Sequence, residues 1–128
     1  MDGILYIDKP ADWTSFDVVA KIKRIYGTTA GHTGTLDPQA TGVLIVMLGK
    51  ACKCDPYLVH QNKEYIATLR LGSKTSTADI WGEVLEEKPI VPICEERVKE
   101  VLAGFVGERM QKPPMVSAVK KNGKRLYE

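Results

Sequence analysis

The sequence contains few of the residues that stabilise a fold covalently or through a metal. Its 128 residues include three cysteines and two histidines. The cysteines lack the spacing of a disulfide framework or of a common zinc site, and the two histidines lie far apart in the chain. We therefore expect reduced thiols and no bound metal.

Long apolar runs and several signature motifs are also missing. The N-terminus, MDGILYIDKP, has no basic segment followed by an apolar stretch, and no run approaches the roughly 18 apolar residues of a membrane-spanning helix. These absences predict a cytoplasmic protein without membrane contact. The stretch GHTGTLD fits neither the P-loop nor the dinucleotide-binding pattern, and no G-x-S-x-G motif is present. A kinase, a nucleotidase and an acyl transferase are therefore disfavoured.

What is present predicts one domain with an uneven charge distribution. A chain of 128 residues, 44% of them hydrophobic, suffices for one compact core. The net charge is only +2, yet residues 109–128 hold six bases and one acid, whereas residues 79–100 hold seven acids and three bases. A basic run is often just a solvated surface, although it also suits contacts with nucleic-acid phosphates.

Hydrophobic periodicity and turn residues predict an α+β fold around one sheet. The first helix has the clearest signals, with a cap at Thr14 or Ser15 and a stop at Gly27. The segment 28–42 has almost no apolar periodicity and is predicted to be an ordered loop. The remaining expected elements are strands at 3–8, 43–48, 64–71, 82–86 and 116–119, a short helix at 49–58 interrupted by Pro56, and a helix at 95–105.

The pattern of apolar residues also predicts which surfaces are covered. The run 43–48 shows no alternation, which is typical of a strand buried on both faces. The helix at 95–105 is expected to turn four apolar side chains inward, namely Val98, Val101, Leu102 and Phe105.

The stretch GHTGTLDPQATGVL, residues 31–44, holds the main candidate for chemistry. A loop carboxylate such as Asp37 can act as a nucleophile, a general base or a metal ligand. It can equally be a plain turn residue, because Asp-Pro is a common turn start. Glycines on both sides would allow a ligand to approach the backbone, and the hydroxyls of Thr33 and Thr35 could position the carboxylate.

Other candidates are each open to a structural interpretation. His32 could stack on a base or bond a phosphate, although a lone histidine is more often a structural hydrogen-bonding residue. Tyr65 could face a cleft or the core. The turn carrying Lys9 and Pro10 leads into a helix N-terminus at Thr14, which fits an anion site or simple helix capping.

Taken together, these segments resemble a known family. GHTGTLDPQATGVL resembles the catalytic motif of the bacterial TruB-type tRNA pseudouridine synthases. The resemblance extends over essentially the whole chain, in order: GILYIDKPADWTSFDVV resembles the N-terminal motif, KEYIATLRLG the tyrosine-bearing strand, TADIWGEV the turn that follows, and QKPPMVSAVKKNGKRLYE a later segment. It implies the pseudouridine synthase fold, with a central, mixed but mostly antiparallel sheet flanked by helices.

The resemblance also implies a function and a set of site residues. Asp37 would be the catalytic aspartate in the isomerisation of uridine 55 in the tRNA T-loop, without a metal or an organic cofactor. His32 would help displace the target nucleotide, and Tyr65 would stack on the flipped uracil. The expected partner is the T-arm of tRNA, bound by a monomer. Further expected substrate-binding residues are Gly34, Thr35, Lys9 and Pro10, and the expected RNA backbone contacts are Lys120, Lys121, Lys124 and Arg125.

Some alternatives remain open from the residues alone. Asp37 could attack C1′ of the sugar, attack C6 of the base or abstract a sugar proton, and each route requires an ionised carboxylate. A non-catalytic RNA-binding module, or an inactive fragment that keeps the fold, is the alternative to an enzyme.

The chain also departs from the family pattern. It would form the N-terminal portion of the catalytic domain, 1–128, with the downstream arginine motif and the C-terminal RNA-binding domain absent and the fold incomplete at its C-terminal end. In addition, Asp12 occupies a position where the family usually has glycine, which calls the geometry of that turn into question.

Overall fold

The computed structural model of the chain describes residues 1–111, 120–121 and 124–125, the last four through their backbone only. The chain divides into two compact units, Met1–Tyr65 and Ile66–Glu128. The single domain expected from the sequence stays a prediction.

The first unit contains a three-stranded antiparallel sheet. Its strands are β1, Gly3–Lys9, β2, Ala30–His32, and β3, Gly42–Leu48, with β3 in the centre. β1 pairs along the whole of β3, from Gly3 opposite Leu48 to Lys9 opposite Gly42. The prediction that 28–42 is entirely loop is therefore wrong at its start, because β2 gains its hydrogen bonds from the edge of β3. Periodicity within so short a segment could not reveal that pairing.

Local sequence signals set the bounds of the first helix, α1, Ser15–Tyr26. Thr14 is the N-cap and forms a capping box with Asp17, in which each side chain accepts a hydrogen bond from the other residue's backbone N–H. Gly27 ends the helix in the left-handed conformation, with φ of 58°, where a side chain would be strained. The predicted start and stop of this helix are confirmed.

The core of the first unit lies between α1 and one face of the sheet. Val18 and Val19 of α1 pack against Leu44 and Val46 of β3, and all four are almost fully buried. Each such side chain stabilises the fold by roughly 1.5–3 kcal/mol through loss of apolar contact with water. The opposite face of β3 is only partly covered, because Val43 is 68% exposed. The expectation that β3 is buried on both faces is therefore wrong at that end.

A 3-10 helix, Gly49–Cys54, and a four-residue helix, α2, Asp55–Leu58, follow β3. Pro56 lies in the first turn of α2, where its missing N–H costs no helical hydrogen bond. The helical segment predicted at 49–58 is confirmed, but Pro56 lies at the start of α2 and does not interrupt a helix.

The second unit has less buried structure in its described residues. It contains the antiparallel pair β4, Ser73–Thr75, and β5, Val84–Glu87, then α3, Glu95–Ala103. Two further strands, β6, Lys120–Lys121, and β7, Lys124–Arg125, also pair antiparallel. The four apolar side chains expected inward on the last helix are exposed by 41–63%. That prediction is wrong, because an amphipathic period indicates a face to be covered but supplies no covering element.

Two other predictions concern strands. Residues 64–71 do not form the expected strand: they pair with no other strand in the described part of the chain, and alternation without a pairing partner does not make a ladder. The expected strand at 116–119 lies outside the described residues.

The α+β class is confirmed, with every described strand pair antiparallel and the pairs distributed over three separate sheets. Within the described residues, no helix is both long and apolar enough to cross a membrane.

Candidate active site

Asp37 lies in an exposed turn between β2 and β3. The N–H of Ala40 donates to the Asp37 carbonyl at 3.0 Å, which closes a turn with Pro38 at its second position. Among the described residues, no group donates a hydrogen bond to the Asp37 carboxylate, and neither Thr33 nor Thr35 reaches it. The backbone of the turn is thus ordered while the carboxylate stays available to a ligand.

The side chain of Lys9 supports this turn through hydrogen bonds. Its ammonium group is fully buried and donates to the carbonyls of Pro10, Trp13 and Pro38 at 2.9, 2.6 and 3.1 Å. Three donors meeting three carbonyls satisfy the hydrogen-bonding capacity of the ammonium group. Lys9 and Pro10 therefore lie next to the Asp37 turn, and in this structure Lys9 supports that turn from within the protein.

Asp12 makes a second connection to the turn. Its N–H donates to the Pro38 carbonyl at 2.8 Å, and its backbone is left-handed, with φ of 64°. This conformation explains the family's usual glycine at the position, since only glycine, asparagine and aspartate adopt it readily. The turn geometry is kept here despite the departure.

Thr14 shows that the helix-capping interpretation of this region is correct. Its hydroxyl donates to the Asp17 carboxylate at 2.6 Å, and its N–H donates to the same oxygen at 2.9 Å. The hydroxyl, and then the amide, hold the pKa of Asp17 below its usual value. The N-terminus of α1 is thus capped by a carboxylate of the protein itself, that of Asp17.

His32 ends β2, five residues before Asp37 in the chain, opposite Val46 of β3. The residue is half-buried, and its Nδ1 atom is buried without a hydrogen-bond partner in the described structure. A ring nitrogen of this kind has unused hydrogen-bonding capacity. The position keeps His32 in the same unit as Asp37 and on a paired strand.

The other expected substrate-binding residues are Gly34, Thr35 and Tyr65. Gly34 is half-buried, and a Cβ atom added there would meet no atom within 4 Å, so there is open space next to its α-carbon. Thr35 is exposed. Tyr65 is the last residue of the first unit and is 68% exposed, in a segment without regular structure. No hydrogen bond among the described residues links Tyr65 to the Asp37 turn.

The predicted RNA backbone contacts fall on the last two strands. Lys120 and Lys121 form β6, and Lys124 and Arg125 form β7, paired Lys120 to Arg125 and Lys121 to Lys124. The structure therefore brings these four positions together as one short hairpin in the second unit. In the described part of the chain, no group of three or more potential ligands could hold a metal ion.

One signal in the sequence could have located Lys9 inside the protein. Leu5 and Ile7 pack against the core, and Lys9 lies on the same face of β1 because side chains alternate along a strand. The alternation of β1 thus continues through Lys9. The sequence contains no comparable signal for the hydrogen bond from Asp12 to Pro38, because the donor is the backbone N–H of Asp12 and not its side chain.

Comparison with known proteins identifies the family of the chain. A family model described as TruB family pseudouridylate synthase (N terminal domain) matches residues 23–128. The chain belongs to the TruB family. The stretch GHTGTLDPQATGVL, which includes His32 and Asp37, lies within the matched region.

Curated relatives give the same result. The chain is 45% identical to tRNA pseudouridine synthase B of Opitutus terrae over 129 residues, covering all of this chain and 54% of the relative. It is 50% identical to the protein of that name from Thermobifida fusca over 127 residues, covering 98% of this chain and 43% of the relative. The chain therefore spans about half the length of the curated relatives it matches.

A solved structure shares the fold. A chain in the crystal structure of a Cbf5–Nop10–Gar1 complex matches 92% of this chain and 31% of its own length, with a TM-score of 0.61 and 32% sequence identity. The predicted membership of the pseudouridine synthase family and its fold is confirmed.

Proposed function

We propose that this chain is part of an enzyme that isomerises a uridine of tRNA to pseudouridine, with Asp37 as the catalytic residue. Membership of the TruB family and the names of the curated relatives support the reaction and the tRNA substrate. Because the chain spans about half of those relatives, the activity is proposed for the chain together with the region that its relatives have in addition.

A single observation supports Asp37 most directly. Its carboxylate is exposed and accepts no hydrogen bond from the described residues, while the backbone on its C-terminal side is fixed by two hydrogen bonds to the Pro38 carbonyl, from Lys9 and Asp12. A catalytic group needs this combination, because it must reach the substrate and yet be held in one position. A carboxylate that only stabilises its own turn would be occupied by hydrogen bonds.

The chemistry requires no co-reactant. The bond from N1 of uracil to C1′ breaks and a bond from C5 to C1′ forms, while the hydrogen on C5 leaves to solvent and N1 takes up a proton. The uracil must leave its stack before it can turn, so the target nucleotide has to be flipped out of the RNA. The open space at Gly34 and the paired position of His32 suit a nucleotide entering beside Asp37.

The finer assignments are part of the same proposal. The target is uridine 55 of the T-loop, His32 contacts the displaced nucleotide, and Tyr65 stacks on the free uracil, since an exposed aromatic ring offers a base an accessible face. The residues of β6 and β7 contact RNA phosphates without reading sequence. Cytoplasmic location and a monomeric state remain predictions.

The decisive experiment measures tritium release from tRNA labelled at C5 of uridine. It compares the 128-residue chain with the same chain joined to the part of the Thermobifida fusca relative that follows the matched region. Asp37→Asn should lower release by at least about a thousandfold, because an amide cannot act as nucleophile or base. The control is Asp12→Asn, a matched change in the neighbouring loop, where asparagine also accepts the left-handed backbone.

The possible results separate the two functions considered. Equal release by the parent and Asp37→Asn would contradict the role of Asp37. No release by either the chain or its extended form would contradict the enzyme, and tRNA binding that persisted in that case would favour a non-catalytic RNA-binding module.

A further inference from the structure

We propose that Ser15 is a positioning residue for Asp37, a role that rests on the proposed function. Ser15 is the first residue of α1 and is 2% exposed. Its helix position invites a capping interpretation, but Thr14 already supplies the cap. The Ser15 hydroxyl is therefore free for another purpose.

That hydroxyl binds both backbone groups of Leu36, the residue before Asp37. The Leu36 N–H donates to Ser15 Oγ at 2.9 Å, and Ser15 Oγ donates to the Leu36 carbonyl at 3.1 Å. The backbone hydrogen bonds of the described residues include no other partner for either group of Leu36. One hydroxyl thus satisfies a donor and an acceptor that would otherwise be unpaired in a half-buried segment.

Ser15 completes a support on both sides of Asp37. On the N-terminal side, the Leu36 side chain packs against the core and its backbone is bound to Ser15. On the C-terminal side, the Pro38 carbonyl is bound to Lys9 and Asp12. Asp37 is the residue between these two fixed points, so its carboxylate is aimed by contacts that never touch it.

This arrangement predicts a loss of rate rather than of binding when Ser15 is changed. Without the hydroxyl, Leu36 keeps its side-chain contact but its backbone can shift, and a displacement of about 1 Å at a reacting group can cost about a hundredfold in rate. Ser15 is only 2% exposed, so its side chain is not available to hold tRNA, and affinity for tRNA should be affected far less.

The experiment measures kcat and KM for tritium release with the chain alone or with the extended chain, whichever releases tritium. Four proteins are compared: the parent, Ser15→Ala, Ser15→Thr and Thr14→Ala. Ser15→Ala should lower kcat by about ten- to a hundredfold with KM changed less than about threefold. Ser15→Thr, which restores the hydroxyl, should recover most of the rate. Thr14→Ala removes the cap of the same helix without touching Leu36, so it should lower Tm but keep kcat within about threefold of the parent.

Each outcome bears on the proposal. Equal kcat for Ser15→Ala and Thr14→Ala at similar Tm would overturn the positioning role and leave the proposed function intact. An inactive parent would overturn the proposed function and this role with it. If Ser15→Ala does not fold, Ser15→Cys replaces it, since a thiol keeps the shape but bonds weakly, and it must show the same fall in kcat. Amide exchange at Leu36 should accelerate in either variant, and unchanged exchange would overturn the contact itself.

Discussion

Two aspartates occupy similar-looking loops, Asp37 in the first unit and Asp79 in the second, yet the structure uses them in opposite ways. The Asp79 carboxylate accepts hydrogen bonds from the Thr77 hydroxyl at 2.6 Å and from the N–H groups of Trp81 and Gly82 at 2.9 and 3.2 Å. It organises its own turn. The Asp37 carboxylate accepts none from the described residues, and its turn is held by side chains and backbone from the β1–α1 segment.

The difference shows what makes a loop carboxylate available for chemistry. An aspartate that binds its own backbone stabilises a turn locally. An aspartate whose neighbours are held from outside can keep its carboxylate free without losing position. The Asp79 turn is supported by hydrogen bonds from within its own loop, and the Asp37 turn by hydrogen bonds from another segment of the chain. Substitutions can remove either kind of hydrogen bond without affecting the other.

The largest effect on stability should come from removing the external support at Lys9. Lys9→Met keeps the length of the side chain but leaves three carbonyls without their donor, at a cost of about 3 kcal/mol or more in the free energy of unfolding. Urea unfolding of the parent and the variant measures this loss. Lys53→Met is the control, since Lys53 is an exposed lysine of the same unit. Equal stability of Lys9→Met and the control would show that the contacts are dispensable.

A pair of glycine substitutions separates backbone strain from ligand space around Asp37. Gly42 has φ of 119°, so Gly42→Ala should lower the free energy of unfolding by about 1–3 kcal/mol. Gly34→Ala meets no neighbouring atom and should fold as the parent does. It should weaken tRNA binding by about tenfold, the effect of about 1.4 kcal/mol, if a nucleotide approaches that backbone. Parental tRNA affinity in Gly34→Ala would argue against entry at this point.

At Asp12 we expect a substitution that raises the free energy of unfolding, by less than the preceding substitutions lower it. Asp12→Gly relieves the left-handed strain but adds freedom to the unfolded chain, so the net gain in stability should be at most about 1 kcal/mol. Asp12→Ala should be less stable than Asp12→Gly, because alanine keeps the strain. Thermal unfolding of the three proteins gives the order. If Asp12→Ala were as stable as Asp12→Gly, or more stable, the backbone at Asp12 would not be left-handed in solution.

The smallest effect should be the acid sensitivity of the Asp79 turn. The Thr77 hydroxyl, followed by the Trp81 amide, holds the pKa of Asp79 below its usual 3.8. A lowered folded pKa means that the ionised carboxylate stabilises the turn fully above about pH 3.8, and that this contribution is lost as the pH falls through the folded value. In a Trp13→Phe background, Trp81 is the remaining tryptophan, so its fluorescence should report the transition. Asp79→Asn should abolish the transition, and its persistence in that variant would assign the change to another group.

The parts of the fold that could be predicted are those with local signals. Thr14 and Gly27 mark the ends of α1 because capping depends on residues within one helical turn. The strand expected at 64–71 and the covered face of α3 failed for the opposite reason, since both depend on a partner elsewhere in the chain. The Asp37 loop was found through its motif, and a turn at this point was indicated by Asp-Pro.

The supports of the candidate site lay beyond such reasoning. Lys9 was predicted to bind substrate because its turn leads into a helix N-terminus, which suits an anion, and Ser15 was considered only as a cap. Neither residue signals in sequence that it will meet a backbone group of the Asp37 loop. The register of β1 could have placed Lys9 inside, but not chosen its carbonyl partners.

The sequence by itself determined the family, the two ends of α1 and the choice of Asp37 as the candidate carboxylate, because each follows from motifs and caps whose residues lie close together in the chain. The tertiary structure alone decided how that carboxylate is held. Ser15 meets Leu36 across 21 residues and Lys9 meets Pro38 across 29, and only the pairing of β1 with β3 brings those segments together. Hydrogen bonds of such separation depend on the positions of whole elements, which no local pattern specifies.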